Sequence, residues 1–204
     1  MQHLKEITGF DKATEWILKE QGLTTSAHVE GLPPMGASPD GLLEVEYRSG
    51  SQSWKHSVIV EYKSLFPYVL AGQGESTPGA EDMYKYAPFK KFPVLLPATC
   101  YAQMQLGMLM TCTSKCIFMQ YSVETTGVRV VPFSPEWAAA METWVRRFWS
   151  MYYARQVVPP SNFGHLINDT EYSSFLALTR RLCESAPVVK VLQSAKGLDG
   201  RLFV

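Results

Sequence analysis

The chain has 204 residues, 46% hydrophobic and 19% charged, which is enough apolar material for one core and rules out a disordered acidic or basic tail. Lys plus Arg and Asp plus Glu both number 19, so the net charge is zero; a generally basic surface for non-specific nucleic-acid binding is excluded, and any polyanion contact is local. No apolar run approaches the roughly 18–20 residues that span a bilayer, the start MQHLKEITGF lacks an apolar signal core, and four cysteines without a CxxC pair point to a reducing, intracellular setting.

In chain order, residues 10–21 read as a helix, with Phe10, Ala13 and Ile17 on one face and Gly22 as its stop. Pro33 and Pro34 break the chain. Ser38-Pro39-Asp40-Gly41 is a turn, because proline fixes φ and Asp-Gly tolerates tight geometry. Leu43, Val45 and Tyr47 alternate with Glu44 and Glu46 in a half-buried strand. Ser57 to Lys63 is a second strand, rich in β-branched residues. The two form an antiparallel hairpin with a rather long loop through Ser49-Gly50-Ser51. Residues 66–97 are irregular and read as an excursion from the core. Residues 98–112 read as a helix, and 115–122 and 128–133 as strands. Ser134 and Pro135 are the N-cap and first residue of a helix running to about Ala154, with Trp137, Met141, Trp144, Val145, Phe148 and Tyr152 on its apolar face. A last helix begins near Thr170, and the tail from Pro187 carries no clear pattern. This order predicts a mixed sheet with helices packed on it, an α/β or α+β fold. The core is expected over residues 1–160, with a C-terminal helical extension and tail over 161–204.

The residues that carry chemistry are Asp40, Glu61-Tyr62-Lys63 and Gln103. Residues two apart on a strand share a face, so Glu61 and Lys63 point to one side and Tyr62 to the other. Asp40 lies in the turn that opens the preceding strand, within reach of Glu61. Two carboxylates and an ammonium on one patch of sheet are expensive unless something uses them. A divalent cation is the simplest neutraliser, since Mg²⁺ takes one or two carboxylates plus waters and phosphate oxygens. A lysine beside it can orient a water or stabilise charge on phosphate.

GASPDGLL (36–43), VIVEYKS (58–64) and YAQMQLGMLMT (101–111), in this order, resemble the three signature segments of the YqaJ-type viral recombinase and lambda-exonuclease family of the PD-(D/E)xK superfamily. The likeness covers roughly residues 10 to 150. It implies a restriction-endonuclease-like core and a metal-dependent DNA nuclease, an exonuclease acting on double-stranded ends in recombination or repair. The alternatives on the same core are a catalytically inactive DNA- or protein-binding module and a structure-specific endonuclease. By the resemblance, Asp40, Glu61 and the Tyr62 carbonyl are ligands of Mg²⁺, with Mn²⁺ as a substitute. Lys63 positions the attacking water, and Gln103 helps place Lys63 or that water. Ser38 and Pro39 shape the turn that presents Asp40. The family's further upstream acidic ligand aligns with Phe10 here, with Glu6 and Glu15 nearby, and its segment that holds a 5′-phosphate would precede this chain. The expected partners are DNA, a single-strand-annealing or recombinase protein and further copies of the chain, with no membrane.

Other features read more plainly. Gln105 lies about 200° around the helix from Gln103 and faces away from it. Ser38, Lys85, Lys90 and Lys91 are candidate DNA contacts, the lysines interleaved with Tyr84 and Tyr86 in a mix that suits a single strand. Cys112 and Cys116 read as buried small hydrophobes, and Arg146-Arg147 and Arg180-Arg181 as solvated helix faces.

Overall fold

Strands β4 (Gly41–Ser49) and β5 (Gln52–Ser64) form the longest pair, antiparallel and in register from Gly41 against Val60 to Ser49 against Gln52. The computed structural model describes residues 12–64, 68–70, 84–86, 93–122, 125–161, 166 and 168–193. The hairpin turn is Gly50-Ser51 alone, tighter than the expected loop. Gly50 sits at φ +62°, the left-handed conformation that two-residue hairpin turns favour.

The expected helix over 10–21 is not formed across its described part. Glu15–Lys19 is strand β1, antiparallel to β4 with Glu15 against Glu46 and Lys19 against Leu42. Three consecutive apolar residues, Trp16, Ile17 and Leu18, fit either period, and the ladder offered by β4 decides. Trp16 packs into a core cluster while Ile17 and Leu18 stay exposed. Phe10 lies outside the described residues.

Short strands β2 (Thr24–Thr25) and β3 (Gly36–Ala37) pair with each other, and β6 (Tyr68–Leu70) pairs with β7 (Tyr84–Tyr86) inside the stretch expected to be irregular. Helix α1 (Ala98–Thr111) is the crossover that sets β8 (Lys115–Tyr121) parallel to β5; β9 (Thr125–Pro132) then returns antiparallel. Helices α2 (Pro135–Phe148) and α3 (Thr170–Glu184) follow, and β10 (Lys190–Gln193) pairs with β9, in the tail that shows no pattern by sequence. The result is a mixed six-stranded sheet, β1-β4-β5-β8-β9-β10, with three helices, an α/β or α+β architecture.

One face of the sheet, through Ile59, Cys116, Phe118 and Val131, packs on Tyr101, Met104 and Met108 of α1, Trp137 and Met141 of α2, and Cys183 of α3. The other face buries Leu43, Val45, Val58, Val60, Ile117 and Val128. Ser134 caps α2 as expected, its Oγ accepting from the Trp137 N–H at 3.2 Å. The helical path runs on to about Ala154 as expected. At Trp149–Tyr153 the backbone widens into a π turn, which sets the Trp149 and Tyr153 rings 4.2 Å apart. Asp169 caps α3 by accepting from Tyr172 N–H at 2.9 Å. Cys116 is buried as expected. Cys112 is exposed, because it ends α1 in the left-handed conformation at φ 53°.

Arg129 on β9 is 1% exposed. Its guanidinium donates to the carbonyls of Ala186 (2.6 Å), Pro93 and Val94 (both 2.9 Å). One side chain thus ties the entry to α1 to the exit from α3. Burial lowers its pKa from the usual value.

Candidate functional site

The Ser38–Gly41 turn is held against α1. Pro39 is buried, and a Cβ on Gly107 would meet Pro39 Cγ at 3.3 Å and Ile59 Cδ1 at 2.9 Å. Glycine at 107 therefore lets the helix approach both the turn and β5. Gln103 stands four residues earlier on the same helical face, so this close approach also aims it at β5.

Strand β4 ends at Gly41 opposite Val60, which leaves the next β4-facing donor of β5, the Tyr62 N–H, without a ladder partner. The Asp40 side chain takes its place, Oδ2 accepting from that N–H at 2.7 Å. This bond fixes the carboxylate at the strand end, with no hydrogen bond to Oδ1 among the described residues. A residue's N–H and C=O turn to the same neighbouring strand, so the Tyr62 carbonyl faces the same gap.

Glu61 points the other way, under α1, and is 1% exposed. Its Oε1 accepts from Lys63 Nζ at 2.6 Å and from Gln103 Nε2. Burial pushes the Glu61 pKa up, the Lys63 bond pulls it down, and the Asp40 charge adds to the rise; the net shift is upward from 4.5. Partial burial disfavours the Lys63 ammonium, but the Glu61 bond and the charges of Glu61 and Asp40 outweigh it, and its pKa is raised.

The structure thus brings Asp40, Glu61, Tyr62, Lys63 and Gln103 together from three separate segments. Tyr62 turns its side chain to the opposite face and is 44% exposed. Ser38 is exposed at the turn. Glu15 does not join the site: it lies opposite Glu46, at the far end of β4, and faces Arg48 at 3.7 Å. Lys85 is in β7, with its side chain outside the described residues, as are Glu6, Lys90 and Lys91. Gln105 faces away from Gln103 as expected, fully buried, with Nε2 on the Pro132 carbonyl and Oε1 accepting from the Ser134 N–H, both at 2.8 Å.

Two nearby groups escaped sequence reasoning. Cys100 lies one turn before Gln103; burial raises its thiol pKa while Lys63 pulls it down. The i−3 spacing from Gln103 is the signal that could have placed it. Gln120 is the parallel register partner of Lys63 and shares its face, 2% exposed, with Oε1 lacking a hydrogen-bond partner. Only the β5–β8 register reveals it.

The donor set suits a hard cation. The Asp40 carboxylate and the Tyr62 carbonyl face one gap, the Glu61 carboxylate on the α1 side is close enough to feel the Asp40 charge, and Mg²⁺ or Mn²⁺ takes few protein oxygens and completes its shell with water and phosphate. No cluster of three or more His, Cys, Asp or Glu forms among the described residues. Among them, no helix is long and apolar enough to cross a membrane. No protein-family model, curated protein or solved structure matches the chain.

Proposed function

We propose that the chain is a metal-dependent DNA nuclease with a restriction-endonuclease-like core, hydrolysing phosphodiester bonds at double-stranded ends. One observation carries the reading: a buried glutamate is bonded by a lysine and a glutamine, beside an aspartate locked onto the adjacent backbone. Such a cluster is costly in a fold unless it is used. Asp40, Glu61 and the Tyr62 carbonyl would hold Mg²⁺, which lowers the pKa of a bound water and offsets charge on the phosphate. Lys63, held by Glu61, would orient an attacking water toward phosphorus and stabilise the developing negative charge. Gln103 holds the Glu61 carboxylate in place through their bond. Asp40 keeps its orientation because the Tyr62 N–H occupies its other oxygen.

The test is degradation of linear double-stranded DNA in about 5 mM Mg²⁺ or in EDTA, with Lys63→Ala in parallel. Cleavage that needs Mg²⁺ and is lost in the variant is expected. A closed circle left intact separates an end-dependent enzyme from an endonuclease. Metal binding has its own readout: Mg²⁺ raises the melting temperature of the wild type but not of Asp40→Asn. One observation favours a second reading, an inactive nuclease-fold binding module: Asp40 and Glu61 form no acidic cluster of three among the described residues. That reading predicts DNA binding without cleavage.

A further inference from the structure

We propose that Gln120 is a positioning residue for Lys63: its side-chain oxygen is the second acceptor of the Lys63 ammonium, used when Glu61 gives its carboxylate to another ligand. This role presupposes the cation-binding half of the proposed function and adds to the site a residue of β8.

Gln120 and Lys63 are register partners on neighbouring parallel strands, so their side chains rise side by side from one face of the sheet. Ile59 and Cys116, an earlier pair in the same register, both pack in the cluster under α1 and identify that face. Gln120 is 2% exposed, and its Oε1 has no hydrogen-bond partner among the described residues. A buried amide oxygen left unpaired is costly, and folds seldom keep one without a use. On the β9 side its register partner is Gly127, which has no side chain to offer. Arg129, diagonally across on β9, has its guanidinium fixed on the carbonyls of Pro93, Val94 and Ala186.

Lys63 supplies what Gln120 lacks. An ammonium carries three N–H donors, and among the described residues one bond is formed, to Glu61 Oε1 at 2.6 Å. Gln103 donates to the same oxygen. With two donors already meeting there, Glu61 cannot offer Oε1 to a cation and keep the lysine in place. The Lys63 side chain is partly exposed and ends a flexible four-carbon stem, so it can turn without disturbing β5. Glu61 lies two residues back on the same strand, and Gln120 lies directly across on the next. Turning from one to the other frees Glu61, pairs the orphan oxygen of Gln120 and keeps the ammonium at the site.

The test combines thermal melts of the full chain, in EDTA and across a Mg²⁺ titration, with cleavage of linear double-stranded DNA. Gln120→Met keeps the length of the side chain and loses the acceptor. It is expected to melt higher than the wild type in EDTA, because a buried unpaired oxygen is gone. The Mg²⁺ needed for half-maximal stabilisation should rise about tenfold, and kcat should fall by a similar factor with KM for DNA unchanged. Gln120→Glu, which restores an acceptor at the same reach, should recover kcat. In a Lys63→Met background, Gln120→Met should leave the Mg²⁺ response unaltered. A Gln120→Met protein that melts lower in EDTA and responds to Mg²⁺ like the wild type overturns the proposal, since Gln120 is then structural, bridged through water to Arg129 Nε, which is also unpartnered among the described residues. An effect on Mg²⁺ that persists in the Lys63→Met background overturns it too. Gln120→Leu carries the same comparison if Gln120→Met does not fold. A wild type that binds Mg²⁺ in this Gln120-dependent way yet leaves DNA intact sinks the nuclease reading and upholds the role of Gln120. Cleavage that is indifferent to Gln120 does the reverse, and a wild type that Mg²⁺ does not stabilise overturns both.

Discussion

Glu46 and Glu61 stand on one hairpin and on one face of its sheet, yet their carboxyl groups are shifted in opposite directions. Glu46 sits among Arg48, Lys55 and Glu15, and the Arg48 bond foremost holds its pKa below the ordinary value. Glu61 lies beneath α1, where burial foremost drives its pKa up despite Lys63. Residue type is the same and a basic partner is present in both. What differs is the cover: α1 packs on β5, with Gly107 allowing the approach, and turns an ordinary ion pair into a constrained one. The hairpin's outer half therefore resembles a solvated charge ladder, and its inner half resembles a site.

The contrast can be broken most strongly by exchanging bases. On the proposed nuclease reading, Lys63→Ala is expected to cut DNA hydrolysis by about 10³-fold, the scale of losing one preorganised charge at a reacting centre. Arg48→Ala, its counterpart beside Glu46, should leave cleavage unchanged and lower the unfolding midpoint only slightly, as for an exposed ion pair. Assays of both variants on the same DNA, with urea melts alongside, make the comparison.

Removing the cover is the next largest effect. Gly107→Leu drives a side chain into Ile59 and Pro39, and overpacking of this kind costs about 1–3 kcal/mol. It should also lower cleavage by displacing the turn that carries Asp40. Gly50→Ala at the hairpin tip strains a positive φ and costs roughly 1 kcal/mol, with cleavage intact. Denaturant titration with an activity assay separates the two.

The smallest effect is the pH dependence of stability. The folded state holds the Glu61 proton more tightly than the unfolded chain does. Its contribution to stability is therefore full below about pH 4.5 and declines as pH rises through the raised folded value. Glu46 acts with opposite sign: its stabilisation is present above pH 4.5 and is lost as pH falls through the lowered value. Urea melts across pH 3–7, in steps of about one unit, should show Glu61→Gln removing a downward slope and Glu46→Gln removing an upward one. Slopes of the same sign would dissolve the distinction between the two halves.

Much of the site was legible because its signals are local. Pro39 and Gly41 mark the turn, strand alternation sets Glu61 and Lys63 on one face, and helical spacing turns Gln105 away from Gln103. What escaped depends on neighbours. β1 is a strand because β4 offers a ladder, while Trp16-Ile17-Leu18 alone fits a helix equally well. β10 forms because β9 accepts it, and the helix through Trp149 widens where two aromatic rings stack. Gln120 could not be placed beside Lys63 before the parallel register of β5 and β8 was known.

That parallel register also sets the order in which the molecule can be completed during synthesis. The hairpin of β4 and β5 closes through a two-residue turn and can form as soon as Ser64 leaves the ribosome. Glu61 then waits, uncovered, for α1 and for the strand that lies beside its own. Those segments end at Tyr121, some seconds later at roughly 5–20 residues per second. Arg129 and the Ala186 carbonyl come later still. The nascent chain therefore exposes an acidic, lysine-bearing strand with an apolar flank before it exposes its cover; the clamp that links the two ends of the helical layer engages later still, and β10 joins β9 after that.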